Sequence, residues 1–371
     1  MTTIAIFVAL LIALLILRHI YSRHCMANVS VQVFISSNTA TEGDKLILTE
    51  VITNQKWLPL PWLAVKFQVD RELEFGDSSA SMVSDLYYRN DLFHILMHQK
   101  ITRRLGFTCT KRGYYAIRGL EITGWDILME NKYIRRYDCD AQLTVYPATF
   151  DAEEVDNLCT QVYGQLPTRH PVHIDPFTFR GIREYSWGDP IKSINFKASA
   201  KAMALMVNVW DFVGARQIIL LLDVQRHIVW YREALEERAI KIAASLAQRM
   251  SNQGLPLGFV TNGLSVRSGL PTRVPEGRGA GHLRGIFESL AYIDLSKQDI
   301  EPFSAVLDRI TAEGYVEPEY WLISPYYDKG LAEALVRLKK SGGRVVWIMP
   351  EPRPIGEVFG GMEMLDRIVW S

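Results

Sequence analysis

Cysteine is scarce in this sequence: four in 371 residues, Cys25, Cys109, Cys139 and Cys159, none in a CxxC pair. That excludes a disulfide-framed small fold and makes a zinc site a poor expectation. An even count permits bridges, yet so few cysteines in so long a chain fit reduced, partly buried thiols. Net charge is missing as well, since 41 basic residues balance 41 acidic ones. No bulk electrostatic footprint for nucleic acid follows, and no nucleic-acid partner is expected. Beyond the first two dozen residues no run is long and apolar enough to cross a bilayer; residues 217–223 make a strand-length run. What is there is ordinary globular chain, 48% hydrophobic and 22% charged. That composition supports sizeable cores and argues against global disorder.

Residues 1–17 carry no charged side chain and centre on Ile-Phe-Val-Ala-Leu-Leu-Ile-Ala-Leu-Leu-Ile-Leu. Extended through Ile20 and Tyr21, the run reaches the roughly 20 residues that a helix needs to span the hydrocarbon core. A cleaved signal peptide would want a basic start and small residues at its end. Here the start is Met-Thr-Thr and the exit is Arg18-His19-Ile20-Tyr21-Ser22-Arg23-His24. A single-pass anchor over residues 1–24 is the expectation. Arg18 and Arg23 follow the span, so the positive-inside rule places the N-terminus outside the cytoplasmic membrane and the remaining chain in the cytoplasm.

From Val29-Ser-Val-Gln-Val-Phe-Ile onward, short alternating segments follow one another: residues 45–54, 62–69, 106–110, 116–122 and 142–147, with turns at Thr41-Glu-Gly-Asp and Lys111-Arg-Gly-Tyr-Tyr. Strands at that density predict an all-β sandwich over residues 28–149. His94 and His98 have the spacing of two ligands on one helical face. Their segment alternates like a strand at least as well, and no third ligand accompanies them.

Residues 150–212 form a connecting segment with a distinctive motif: Phe179-Arg180-Gly181-Ile182-Arg183-Glu184-Tyr185-Ser186-Trp187-Gly188-Asp189-Pro190, then Ile191-Lys192-Ser193-Ile194-Asn195-Phe196-Lys197-Ala198-Ser199-Ala200-Lys201. It resembles the signature of the family called domain of unknown function fifty-eight. Gly181, Arg183, Glu184, Tyr185, Gly188, Asp189, Ile194, Lys197, Ser199 and Ala200 match it. Pro190 and Phe196 depart from it, Phe196 standing where that family has Trp. The resemblance extends upstream to Arg112-Gly-Tyr-Tyr and Leu143-Thr-Val-Tyr-Pro147. Arg180, Arg183, Glu184, Asp189, Lys192 and Lys197 supply both signs of charge. They suit a docking patch or an ion-pair network turned on Gly181 and Gly188, with Tyr185 and Ser199 among them. An acid/base pair of Glu184 and Asp189 is the enzymatic alternative, for which no nucleophile–base–orienter set is evident.

Residues 213–371 alternate strand and helix. The strand 217–223 ends in Asp223; a helix 230–252 carries Ala234, Ala239, Ile242, Ala243, Leu246 and Met250 on its apolar face, with Gly254 as its cap. Strand 257–260, helices 282–291 and 303–312, strand 320–324, helix 329–340 and strand 344–349 complete a mostly parallel, doubly wound α/β sheet. The order resembles a von Willebrand factor A-like domain, which the same family carries at its C-terminus. Such domains can hold magnesium through an Asp-x-Ser-x-Ser loop and a later Asp. Here the loop reads Asp223-Val-Gln225-Arg-His227 and the later strand ends at Ser324, a degenerate set. Residues 275–284, glycine-rich and basic, read as a mobile surface loop rather than an anion cradle.

The expectation is a membrane-anchored, non-enzymatic adaptor or assembly factor without a cofactor. The resemblance implies a MoxR-type AAA+ ATPase as partner and work in protein maturation or remodelling. A hydrolase using Glu184 or Asp189, and a metal-dependent A-domain binder, stand as alternatives.

Overall fold

A computed structural model of the protein describes residues 2–76, 81–83, 86–126, 129–165, 179–185, 194–210, 217–225, 233–297, 299–314, 318–326, 328–350 and 366–370. The chain divides into two compact units: Met1–Ala148 with Phe287–Ile293, and Thr149–Ile286 with Asp294–Ser371.

The first unit opens with helix α1 (Thr2–His24) and continues through twelve strands: β1 (Val29–Ile35), β2 (Thr39–Thr41), β3 (Lys45–Asn54), β4 (Leu60–Asp70), β5 (Leu73–Phe75), β6 (Ser81–Val83), β7 (Leu86–Ile95), β8 (Lys100–Cys109), β9 (Gly113–Ala116), β10 (Arg118–Trp125), β11 (Lys132–Tyr137) and β12 (Gln142–Tyr146). They form sheets of order β1-β3-β8-β5, β11-β10-β4-β7-β6 and β2-β12-β9. Period-two alternation makes the sandwich. Val29, Val31 and Val33 point inward while Ser30, Gln32 and Phe34 point out. One core joins them to Leu48 and Ile52 of β3, Leu63, Val65 and Phe67 of β4, Phe107 of β8, Ile122 of β10 and Leu143 of β12. Each such side chain contributes about 1.5–3 kcal/mol when fully buried.

Helix α1 is apolar all round, and its large hydrophobic residues from Ile4 to Leu17 are 36% to 78% exposed. It is long and apolar enough to cross a membrane. Its last turn behaves differently. Tyr21 and Cys25 are buried in the sandwich core, and the Tyr21 hydroxyl donates to the Pro59 carbonyl at 2.9 Å. Asn28, with φ of 50°, turns the chain out of the helix into β1. Gly124 leaves room for this joint, since a Cβ there would lie 2.9 Å from Met26 Cε.

The Arg112-Gly-Tyr-Tyr turn has a structural account. Arg112 is buried, and its Nη1 donates to the carbonyls of Leu290 at 2.7 Å and Ile293 at 3.1 Å. The Tyr115 ring folds back over Gly113, where a Cβ would meet it at 2.9 Å, and its hydroxyl donates to the Lys111 carbonyl. His94 lies in strand β7, edge-on to Trp62 and bonded to the Pro61 carbonyl, whereas His98 sits in the following turn at φ of 50°. The two imidazoles therefore share no helical face.

The second unit comprises α2 (Ala152–Gln165), β13 (Phe179–Glu184), α3 (Phe196–Ala202), β14 (Met206–Trp210), β15 (Ile218–Leu222), α4 (Glu233–Asn252), β16 (Leu257–Leu264), β17 (Pro271–Gly277), the first part of α5 (Ala280–Ala291), α6 (Phe303–Ala312), β18 (Glu319–Ile323), α7 (Lys329–Lys340), β19 (Arg344–Met349) and β20 (Asp366–Val369). Its main sheet has the order β17-β16-β15-β18-β19-β20, parallel except for the antiparallel edge strand β17. Strand β18 is buried along its whole length and β15 nearly so, as expected for strands covered on both faces. Leu221, Tyr320, Leu322 and Trp347 pack with Phe303 and Leu307 of α6 and Leu331 and Leu335 of α7. On the other face, Trp321 meets Tyr163 of α2 edge-on, and α4 packs against β15, β16 and β18.

Two expectations need correction. Residues 275–284 are not a loop: 275–277 complete β17, and Arg278 and Gly279 alone connect it to α5. The register of β17 on β16 slips at two places, which accommodates the prolines on an edge strand. Ala234 is exposed at the start of α4, and Leu235 takes the inward position.

Candidate functional site

Strand order places a switch point between β15 and β18. From β15 the chain winds outward to β16 and β17, then returns across β15 to β18 and winds the other way. Open α/β sheets bind ligands at the carboxyl ends of the strands flanking such a point. Asp223 directly follows β15, Ser324 directly follows β18, and Asn262 lies near the end of β16.

These three side chains meet. Asp223 Oδ1 accepts from the Gln225 N–H and from Asn262 Nδ2, both at 2.9 Å, and its Oδ2 accepts from the Ser324 hydroxyl at 2.9 Å. Asn262 Oδ1 accepts from the Val224 N–H at 3.0 Å, and the Ser324 hydroxyl accepts from the Tyr326 N–H at 3.3 Å. A second layer surrounds them. Gln225 Oε1 accepts from the Phe303 N–H at the start of α6, Trp347 Nε1 donates to the Ser324 carbonyl, and Tyr326 donates to Glu236 Oε1. Asp223, Asn262 and Ser324 have no solvent-exposed surface. A buried carboxylate demands this many donors, because an uncompensated charge in the interior costs several kcal/mol, about 3–5 when one partner of a pair is removed. Asp223, Gln225 and Ser324, the degenerate set read from the resemblance, lie together here, while His227 lies outside the described residues. Asn262, Glu236 and Tyr326 were not singled out from sequence. The Asn262-Gly263 pair reads as a turn signal but stands inside β16.

The signature segment builds a separate ladder. β13 pairs antiparallel with β14: Gly181 opposite Val209, Arg183 opposite Val207, Glu184 opposite Met206. The register slips by one residue between Phe179 and Gly181, at Arg180. The Tyr185 N–H donates to the Leu205 carbonyl at 2.8 Å. Between the strands lies α3. Asn195 caps it by accepting from the Ala198 N–H at 3.0 Å, and the Ser199 hydroxyl donates to the Asn195 carbonyl and accepts from the Met206 N–H, both at 2.8 Å. Ser199 thereby ties helix to strand. Glu184 and Lys197 are exposed; Gly188, Asp189 and Lys192 lie outside the described residues. Among the described residues no group of three His, Cys, Asp or Glu side chains could hold a metal ion, and all four cysteines are free.

No family model matches the chain, and no curated protein matches it. Among solved structures, it is similar to a type II cohesin domain from the cellulosome of Acetivibrio cellulolyticus (11% identity, 32% of this chain and 95% of that one, TM-score 0.24). It is also similar to a CARDB domain from Pyrococcus furiosus (12% identity, 32% and 90%, TM-score 0.22), and to a non-cellulosomal cohesin from Archaeoglobus fulgidus (14% identity, 35% and 97%, TM-score 0.21). Scores this low carry no functional argument.

Proposed function

We propose that the protein is a membrane-anchored, non-enzymatic adaptor or assembly factor. In this reading α1 crosses the cytoplasmic membrane with its N-terminus outside, and the second unit is a von Willebrand factor A-like domain working in the cytoplasm with a MoxR-type AAA+ ATPase. The observation that carries it is the joint at Tyr21 and Cys25. A helix that is exposed and apolar as far as Leu17 is built at its other end into the core of a folded sandwich, as suits an anchor retained in the mature protein. Arg18 and Arg23 after the span support the orientation. The strand order, with an antiparallel edge, supports the A-like assignment, and the signature motif supports the ATPase.

A metal-dependent A-domain is the second reading, favoured by the place of Asp223 at the switch point. Asp223, Gln225 and Ser324 would be its ligands. Their chemistry suits a hard cation poorly: one carboxylate with both oxygens engaged by donors, an amide oxygen turned to the Phe303 N–H, and a hydroxyl. The test of the adaptor is capture of the tagged full chain from membranes, with and without ATP, read by mass spectrometry. A MoxR-type ATPase is expected to co-purify; its absence under both conditions removes that partner from the reading.

A further inference from the structure

The end of the sandwich from which α1 leaves is made of three loops: β3–β4 and β7–β8, which pass between the two larger sheets, and the β10–β11 hairpin. Strand register fixes this: Val29 pairs with Asn54, Thr53 with Lys100, Leu60 with Ile95, and Trp125 with Lys132. The β3–β4 and β7–β8 loops are tied to each other, since Asn54 Nδ2 donates to the carbonyls of Leu58 and Leu96 and the His98 N–H donates to the Lys56 carbonyl. Two of the three loops reach α1. Tyr21 bonds Pro59 of the first loop, and Arg18 lies 3.6 Å from Glu130 of the β10–β11 loop.

All three tips expose apolar side chains: Trp57 at 60%, Leu96 at 64%, Met97 at 59% and Met129 at 52%. Among the described residues the opposite end of the same strands is polar, with tips reading Thr41-Glu42-Gly43-Asp44, Asp70-Arg71-Glu72 and Thr110-Lys111. Turns in water favour residues of that second kind, and an apolar collar on one end alone marks a surface that meets something other than water. Its height identifies the occupant. Arg18 lies about 10 Å along the axis from Cys25, seven residues at ~1.5 Å each, and the wholly apolar stretch begins at the next residue, Leu17. The Glu130 side chain of the β10–β11 loop reaches Arg18 and Pro59 of the β3–β4 loop meets Tyr21, so these loops flank the helix next to the end of its apolar stretch. Trp and other amphipathic or apolar side chains beside a span belong at that boundary.

We propose that Trp57, Leu96, Met97 and Met129 form a lipid-docking collar that seats the sandwich in the headgroup–acyl boundary of the membrane crossed by α1. The proposal rests on the reading of α1 as a membrane span, and the test separates the two. Single cysteines are introduced, in the full chain with its four native cysteines replaced by alanine, as Leu11→Cys, Met97→Cys, Met129→Cys and Lys45→Cys, the last at the far end of β3. Each is labelled with a small fluorophore, reconstituted into phosphatidylcholine vesicles and exposed to phosphatidylcholine bearing a nitroxide high on its acyl chain. Labels at 11, 97 and 129 are expected to lose fluorescence, and the label at 45 to keep it. Quenching at 11 with labels at 97 and 129 behaving like 45 overturns the collar while leaving the anchor. No quenching at 11 overturns both. Because loop substitutions could perturb the turns, unlabelled Leu96→Ser/Met97→Ser supplies a second readout: faster amide exchange in the β7–β8 loop on vesicles, unchanged strand protection. Exchange in that loop unaltered by the double substitution counts against the collar.

Discussion

Lys56 is the one buried lysine among the described residues, and its ammonium has no hydrogen-bond acceptor there. Burial pushes its pKa down from 10.5 to about 8. The sign of the consequence follows from proton counting. Between about pH 8 and 10.5 the unfolded chain holds the proton and the folded chain has lost it, so this residue makes stability rise with pH across that window. Three buried thiols pull the other way: Cys25, Cys109 and Cys159 are raised by burial to about 11, so above pH 9 the unfolded chain deprotonates first. Isolating the lysine therefore needs a difference measurement. Lys56→Met is expected to be more stable than the parent at pH 7, with an advantage that shrinks by pH 10; a constant advantage in urea unfolding would contradict it. Asp223 presents the reverse case, a buried charge with its donors in place. Asp223→Ala strands the Asn262 amide, the Gln225 N–H and the Ser324 hydroxyl, and should cost about 3–5 kcal/mol. Addition of magnesium should not change the melting temperature of either form. Magnesium-dependent stabilisation of the parent that Asp223→Ala abolishes would favour the metal-dependent reading.

At the scale of elements, helix boundaries are set by single residues with opposite demands. Gly254 ends α4 at φ of 70°, with the Leu255 N–H returning to the Met250 carbonyl at 3.1 Å. A side chain there is strained by about 1–2 kcal/mol. Gly285 sits inside α5 with nothing within 4 Å of an added Cβ, where alanine removes the backbone-entropy disadvantage of about 0.5–1 kcal/mol. Gly254→Ala should therefore destabilise and Gly285→Ala stabilise, read as opposite shifts of the unfolding midpoint. Equal shifts would show that helix geometry does not govern these positions. Strand β17 shows the same local logic in a different element: Pro271 and Pro275 are tolerated because it is an edge, paired on one side only.

At the scale of the molecule, the first unit is not a contiguous piece of chain. It takes in Phe287–Ile293, to which the buried Arg112 guanidinium donates and against which Tyr114 and Tyr146 set their rings, on Tyr292 and Phe287. A fragment ending at residue 148 lacks those acceptors and the segment that covers Arg112. It should unfold at lower urea than the same strands do in the full chain, by roughly 2 kcal/mol or more from the lost charge-assisted bonds. Amide exchange of β9 and β12 is the measure. Equal protection in fragment and full chain would show that the sandwich is complete without the distant segment.

Much of this was legible because it follows from local pattern. The apolar stretch before Arg18, the alternation of Val29, Val31 and Val33, the helices Phe303–Ala312 and Lys329–Lys340, and the strand ending at Asp223 are each written in a few consecutive residues. Periodicity and turn chemistry act over that range. What stayed hidden depends on partners far apart in the chain. Strand β17 carries prolines that argue against a strand until its edge position is known, and Asn262-Gly263 reads as a turn until Asp223 claims the amide. Arg112 looks like a turn residue until the carbonyls of Leu290 and Ile293, nearly two hundred residues later, are seen to surround it. The sequence by itself determined many of the helices and core strands and the one segment fit for a membrane. Only the tertiary structure decided what the charged and polar residues answer to, because a buried charge takes its meaning from the donors and acceptors that folding brings within 3 Å.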